Sequence, residues 1–131
     1  MNKILVIEDE ETVRENILEL LEAEDFIGIG AANGRIGLEL ALSHLPDLII
    51  CDVLMPELNG YGVLEALRQN PLISKIPFVF LTAKAAKADF RLGIEMGADE
   101  YLTKPFTRAE LLDTLEKLLQ KNCVSCRKKL D

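Results

Sequence analysis

The chain has 131 residues, 49% of them apolar, with 15 basic against 22 acidic side chains and a net charge of −7. That is enough to bury the core of one compact domain and too little for a second. The acidic balance argues against direct binding of duplex nucleic acid or an anionic membrane, since both call for a cationic surface.

No apolar run approaches the roughly 18 residues of a membrane span, and Met1-Asn2-Lys3 leads straight into a strand-like run with no secretory h-region. A cytoplasmic chain is therefore expected. Three cysteines do not make the even, spaced framework of a disulfide-rich secreted domain. Cys51, inside an apolar run, reads as a small buried hydrophobe.

Lys3-Ile4-Leu5-Val6-Ile7 predicts a buried strand that ends abruptly in Glu8-Asp9-Glu10-Glu11. From Thr12 the period becomes helical, with Val13, Ile17, Leu20 and Leu21 on one face and Arg14, Glu15, Glu19 and Glu22 mostly on the other. Ile27-Gly28-Ile29-Gly30-Ala31 predicts an edge strand, and Asn33-Gly34 a turn. Ile36, Leu38, Leu40, Ala41 and Leu45 support a helix that stops before Pro46. Leu48 to Cys51 is too short for a buried helix and too continuously apolar for a half-wet strand, so it predicts the central strand of a parallel sheet, delivering Asp52 to its C-terminal end. Asn59-Gly60 reads as a turn before a helix carrying Val63, Leu64 and Leu67. Pro77 to Leu81 predicts a fourth strand ending in Thr82-Ala83, and 85–96 a helix closed by Gly97. Asp99 to Thr103 predicts a fifth strand, followed by Lys104-Pro105-Phe106. Thr107 and Glu110 form a capping box for the last helix, with Leu111, Leu112, Leu115, Leu118 and Leu119. Strands alternating with helices predict an open α/β sheet covered on both faces.

Four strands end in polar groups: Glu8 and Asp9, Asp52, Thr82, and Lys104. In a parallel sheet these ends share one edge, so they converge on one site. A single Asp after an apolar strand is commonly only a cap or a loop residue, but that account has to hold separately at each strand end. Three close carboxylates repel unless a divalent cation neutralises them, and hard oxygen ligands select Mg²⁺. A carboxylate can accept a phosphoryl group while a metal and a lysine neutralise the transferring oxygens. Asp52 is the candidate acceptor and Glu8, Asp9 and Asp52 the candidate metal cluster. Lys104 supplies the cation, Thr82 a hydroxyl for a phosphoryl oxygen, and small Ala83 leaves the approach open.

Ile7-Glu8-Asp9-Glu10, Cys51-Asp52-Val53-Leu54-Met55-Pro56, Asn59-Gly60, Leu81-Thr82-Ala83, Gly97-Ala98-Asp99 and Tyr101-Leu102-Thr103-Lys104-Pro105-Phe106 together resemble the receiver domain of two-component response regulators. The likeness runs from about Lys3 to Lys121 and is similar in extent to the single-domain chemotaxis regulator. It implies a flavodoxin-like fold of strand order 2-1-3-4-5 with the site at its switch point. A sensor histidine kinase or histidine phosphotransfer protein would donate the phosphoryl group to Asp52. Asp9, Asp52 and the backbone carbonyl of Leu54 would hold Mg²⁺, for which Mn²⁺ can substitute, and Glu8 would act mainly through a bound water. The resemblance further implies a cis Lys104-Pro105 bond. Its switch couples Thr82 to rotation of Tyr101 from exposed to buried, reshaping the face of helix 4, strand 5 and helix 5. It leaves room for a phosphorylation-dependent dimer, and for no enzymatic role beyond slow self-phosphorylation and self-dephosphorylation. Glu8 departs from the pattern, standing where an Asp is more usual.

Residues 1–121 are thus expected to form the receiver domain, with 122–131 a tail or the start of a linker to an output partner or domain. Cys123 and Cys126 read as part of that tail, because one C-x-x-C cannot complete a zinc shell. His44 and the basic run 127–129 read as surface. Two other functions stay open: an Asp-nucleophile phosphatase or phosphotransferase, although Asp52-Val53-Leu54 lacks the Asp-x-Asp of haloacid dehalogenase relatives, and a pseudo-receiver that only binds partners. Leu54 and Lys84 flank the site, where side chains help or hinder an attacking water.

Overall fold

In a computed structural model, residues 2–82, 94–95 and 97–121 are described. The strands β1 (Lys3–Ile7), β2 (Ile27–Ala31), β3 (Leu48–Asp52), β4 (Phe78–Thr82) and β5 (Glu100–Thr103) form one sheet in the order β2-β1-β3-β4-β5. All pairings are parallel, with Ile7 opposite Cys51, Asp52 opposite Leu81 and Thr82 opposite Thr103. The helices among these residues are α1 (Glu11–Ala23), α2 (Gly34–His44), α3 (Gly60–Gln69) and α4 (Arg108–Lys121). The order expected from the resemblance is the one observed. The helix expected over 85–96 falls mostly outside the described residues, as do Ala83, Lys84, Cys123, Cys126 and the basic run 127–129.

The two-residue period of a strand sorts the core. Leu5, Ile7, Ile49, Cys51, Phe78 and Phe80 join Val63, Leu64 and Leu67 of α3 on one side of the sheet. Ile4, Val6, Leu48, Ile50, Val79 and Leu81 join Ile17 and Leu21 of α1 and Leu111, Leu115 and Leu118 of α4 on the other. With both faces covered, every residue of β3 and β4 is buried, as their unbroken apolar runs require. The edge strand β2 is mostly half-exposed. A Cβ on Gly28 or Gly30 would lie 2.8 Å or 2.9 Å from Leu18, so these glycines let α1 lie close against β2.

Asn33-Gly34 and Asn59-Gly60, expected to be turns, are helix starts. The Asn33 side chain accepts the Ile36 N–H at 2.9 Å and the Asn59 side chain accepts the Gly62 N–H at 3.0 Å. The same short amide favours both roles, because it can replace a missing backbone partner in either. At the end of α2, Leu45 turns left-handed before Pro46, and Gly97 has φ 105°. The capping box is present: Thr107 Oγ1 accepts the Glu110 N–H and Glu110 Oε1 accepts the Thr107 N–H, each at 3.0 Å. Arg68, at the end of α3, donates to the carbonyls of Ser74, Ile76 and Gly97 and to Asp99, tying the starts of β4 and β5 together.

Candidate functional site

The C-terminal ends of β1, β3, β4 and β5 bring Glu8, Asp9, Asp52, Thr82 and Lys104 to one edge. Glu8 extends the pairing of β1 with β2, its N–H donating to Ala31 O at 3.0 Å. Asp52 is the last residue of β3, and Val53 N–H donates to Leu81 O at 3.1 Å, keeping the strand end fixed against β4. The Lys104 N–H donates to Thr82 O at 2.6 Å, and its bond to Pro105 is cis.

Carboxylate oxygens of Glu8, Asp9 and Asp52 lie within 4.8 Å of one another. Glu8 and Asp52 are buried and Asp9 is exposed. Lys104 reaches into the cluster, its Nζ 2.6 Å from Glu8 Oε1 and 3.4 Å from Asp52 Oδ2. Glu8 Oε2 accepts the Glu10 N–H at 3.3 Å, so both oxygens of this fully buried acid meet donors. Glu8 therefore engages Lys104 directly, whatever water-mediated role it also has.

The electrostatics follow from this packing. Burial, reinforced by Asp52, raises the Glu8 carboxyl above the ordinary range although Lys104 opposes the shift. Asp9 is exposed as a residue, but partial burial of its carboxyl and then neighbouring Glu8 raise it as well. Burial works to lower Lys104, but Glu8 and Asp52 outweigh it and hold the ammonium above its ordinary value. Burial also pushes the Cys51 thiol well up, with Asp52 and Glu8 adding to it, in keeping with an inert core residue. A cluster of hard oxygens that resists its own charge suits a small divalent cation such as Mg²⁺.

Thr82 is buried beside Asp52. Tyr101 is buried too, its ring centroid 6.0 Å from that of Phe80. Leu54 is 66% exposed. His44 is exposed. Two features were not foreseen. A Cβ on Gly60 would lie 2.4 Å from Asp52 O and 2.9 Å from Val53 Cα, so α3 begins directly against the backbone that carries Asp52. Arg14, assigned to the polar face of α1, donates from Nη1 to Glu8 O at 2.8 Å. An Asn-Gly pair hinted at the first, and nothing in the helical period hinted at the second.

A sequence model described as the response regulator receiver domain matches residues 4–116. The chain belongs to this family. Among curated relatives of the receiver domain, the transcriptional regulatory protein CpxR of Escherichia coli K12 is 41% identical over 93% of this chain and 51% of its own length. The alkaline phosphatase synthesis transcriptional regulatory protein PhoP of Bacillus subtilis is 39% identical over 92% of the chain and 49% of its own length. The chain thus spans about half the length of these relatives. Vibrio cholerae chemotaxis protein CheY4 superposes with a TM-score of 0.86 at 30% identity, covering 90% of this chain and 98% of that one. The receiver domain of a signal transduction histidine kinase from Syntrophus aciditrophicus gives 0.86 at 33% identity, covering 95% and 94%. The receiver is therefore flavodoxin-like. Among the described residues, no helix is long and apolar enough to cross a membrane.

Proposed function

We propose that this receiver domain takes a phosphoryl group on Asp52 from a sensor histidine kinase or histidine phosphotransfer protein. The observation that carries the reading is the reach of Lys104, just past the end of β5 and 52 residues beyond Asp52, across the site to Glu8 and Asp52. A structural ion pair alone would not call for a third acid beside it, yet Asp9 is there. In the transfer, an Asp52 oxygen attacks phosphorus, the donor's P–N bond breaks, and the imidazole nitrogen keeps the electron pair and takes up a proton.

Asp9, Asp52 and the Leu54 carbonyl would hold Mg²⁺ or Mn²⁺, with Glu8 set behind them by Lys104. When bound, the metal would neutralise phosphoryl oxygens and the acid cluster together. Lys104 would shift toward the phosphoryl oxygens, and Thr82 and the Ala83 backbone would bind the others. Thr82 and Tyr101 would pass the change to the face built on β5 and α4. The output partner or domain, and any phosphorylation-dependent dimer, would read that face. Direct nucleic-acid binding by this acidic segment is not part of the reading.

The test is stoichiometry with acetyl phosphate and Mg²⁺. A receiver gains one acid-stable, base-labile phosphoryl group per chain and Asp52→Ala gains none. Many turnovers would point instead to a phosphatase, and labelling of Asp52→Ala at the wild-type level would overturn the assignment.

A further inference from the structure

We propose that Arg14 is a positioning residue for Asp9, an inference that rests on the metal site just described. The peptide unit joining Glu8 to Asp9 is planar, so the Glu8 carbonyl and the Asp9 N–H turn together. Arg14 Nη1 holds that carbonyl at 2.8 Å, and the Glu8 N–H is held by Ala31 O at 3.0 Å. Arg14 thus holds the peptide from which the Asp9 side chain departs, and the Ala31 bond holds the peptide before it. Asp9 gains most from this, because it is the exposed acid of the three, whereas Glu8 is locked by Lys104.

The reach of Arg14 depends on β2. Its Cδ would be 3.3 Å from a Cβ at Gly30, so the absence of a side chain there gives the arginine stem its path along the sheet edge to Glu8. Arg14 is also tied at its backbone, its N–H donating to Glu10 O at 2.9 Å, which fixes where the stem begins. The simpler account is that Arg14 only staples the start of α1 or adds a nearby positive charge. The sign of one measurement separates these. Removing a nearby cation leaves the acid cluster more negative and strengthens cation binding. Releasing the peptide that aims Asp9 weakens it, as loss of an orienting partner does at other metal sites.

The experiment titrates Mg²⁺ into the full chain by calorimetry at fixed ionic strength, and records the Asp9 backbone amide resonance before and after addition. Wild type should bind, Asp9→Asn should not, and Arg14→Met should bind roughly 10-fold more weakly. Its Asp9 amide resonance should also be displaced in the absence of metal. Arg14→Met binding as tightly as wild type, or more tightly, overturns the proposal while leaving the metal site standing. If wild type itself does not bind Mg²⁺, the metal site and this proposal fall together. Should Arg14→Met fail to fold, Arg14→Leu, which likewise has no donor, carries the test. Wild-type or tighter affinity with an unmoved Asp9 amide overturns the positioning role, and weaker binding with a displaced amide upholds it.

Discussion

Lys104 makes its shorter contact with Glu8, at 2.6 Å, and its longer one with Asp52, at 3.4 Å. The acid with no exposed surface thus fixes the lysine, and the candidate acceptor holds it loosely. An ammonium arranged this way can exchange its Asp52 contact for phosphoryl oxygens without leaving Glu8 unpaired. This gives Glu8 a reason to be an acid that differs from metal ligation.

Lys104→Met leaves a buried Glu8 without its cation. Losing one partner of a buried pair is costly, and partial exposure of Lys104 together with protonation of Glu8 reduces the loss to about 2–3 kcal/mol at neutral pH. The folded Lys104 pKa is raised, so its contribution is present below the ordinary 10.5 and is lost as pH rises through the folded value. On the acid side the penalty fades as pH falls through the folded value of Glu8, which burial holds above the ordinary 4.5, because a protonated Glu8 needs no cation. Denaturant midpoints from pH 4 to 8 check the acid side of this window. A variant with both Glu8→Gln and Lys104→Met should recover most of the loss.

Asp9→Asn should act in the opposite sense in metal-free protein. Burial first and Glu8 second raise the Asp9 carboxyl, so its charged form is disfavoured by folding. That contribution favours the fold below the ordinary 3.8 and is lost as pH rises through the raised folded value. At pH 7 without divalent cation, Asp9→Asn should therefore melt higher than wild type, and the gap should close on acidification. Adding Mg²⁺ should raise the wild-type melting temperature and leave Asp9→Asn unmoved. Equal melting temperatures at pH 7 in EDTA would count against the repulsion.

Gly60→Ala tests whether α3 seats the acceptor strand. The added Cβ would meet backbone atoms, Asp52 O at 2.4 Å and Val53 Cα at 2.9 Å, and backbone cannot swing aside. Overpacking of this kind should cost about 3 kcal/mol and weaken Mg²⁺ binding. Gly62→Ala is the matched control. Its Cβ would meet the mobile end of Leu58 at 2.5 Å, and alanine is the better helix former, so stability should change by less than about 1 kcal/mol. Chemical denaturation of the two variants side by side decides the matter.

The strands and the site edge were legible because their physics is local. An apolar run buried on both faces has one reading, and a carboxylate, hydroxyl or lysine at its end has one address in a parallel sheet. What stayed hidden depends on distance between elements. Asn33 and Asn59 cap helices instead of turning the chain, since their side chains serve either role and only the backbone beyond them chooses. Arg14 and Arg68 belong to helices whose period marks them as surface. Their guanidinium groups instead reach carbonyls of Glu8 and of Ser74, Ile76 and Gly97, contacts that no one-dimensional pattern encodes. The pairing of Glu8 with Lys104 depends on β5 lying beside β4, a relation that no local pattern around Glu8 encodes.

Leu54 offers a test of the phosphoryl group's lifetime. It stands two residues past Asp52 and is 66% exposed. Being apolar, it neither donates to nor accepts from an attacking water, and so leaves it unoriented. Replacing it by asparagine adds a donor and an acceptor at that point while keeping the site uncharged. After labelling with acetyl phosphate and removal of the donor, Leu54→Asn should lose its phosphoryl group roughly 10-fold faster than wild type, because a polar contact can position the attacking water. The decay is followed by quenching samples in acid and separating phosphorylated from free chain. A wild type that decays as fast as Leu54→Asn, or faster, would remove Leu54 from any part in setting the signal's duration.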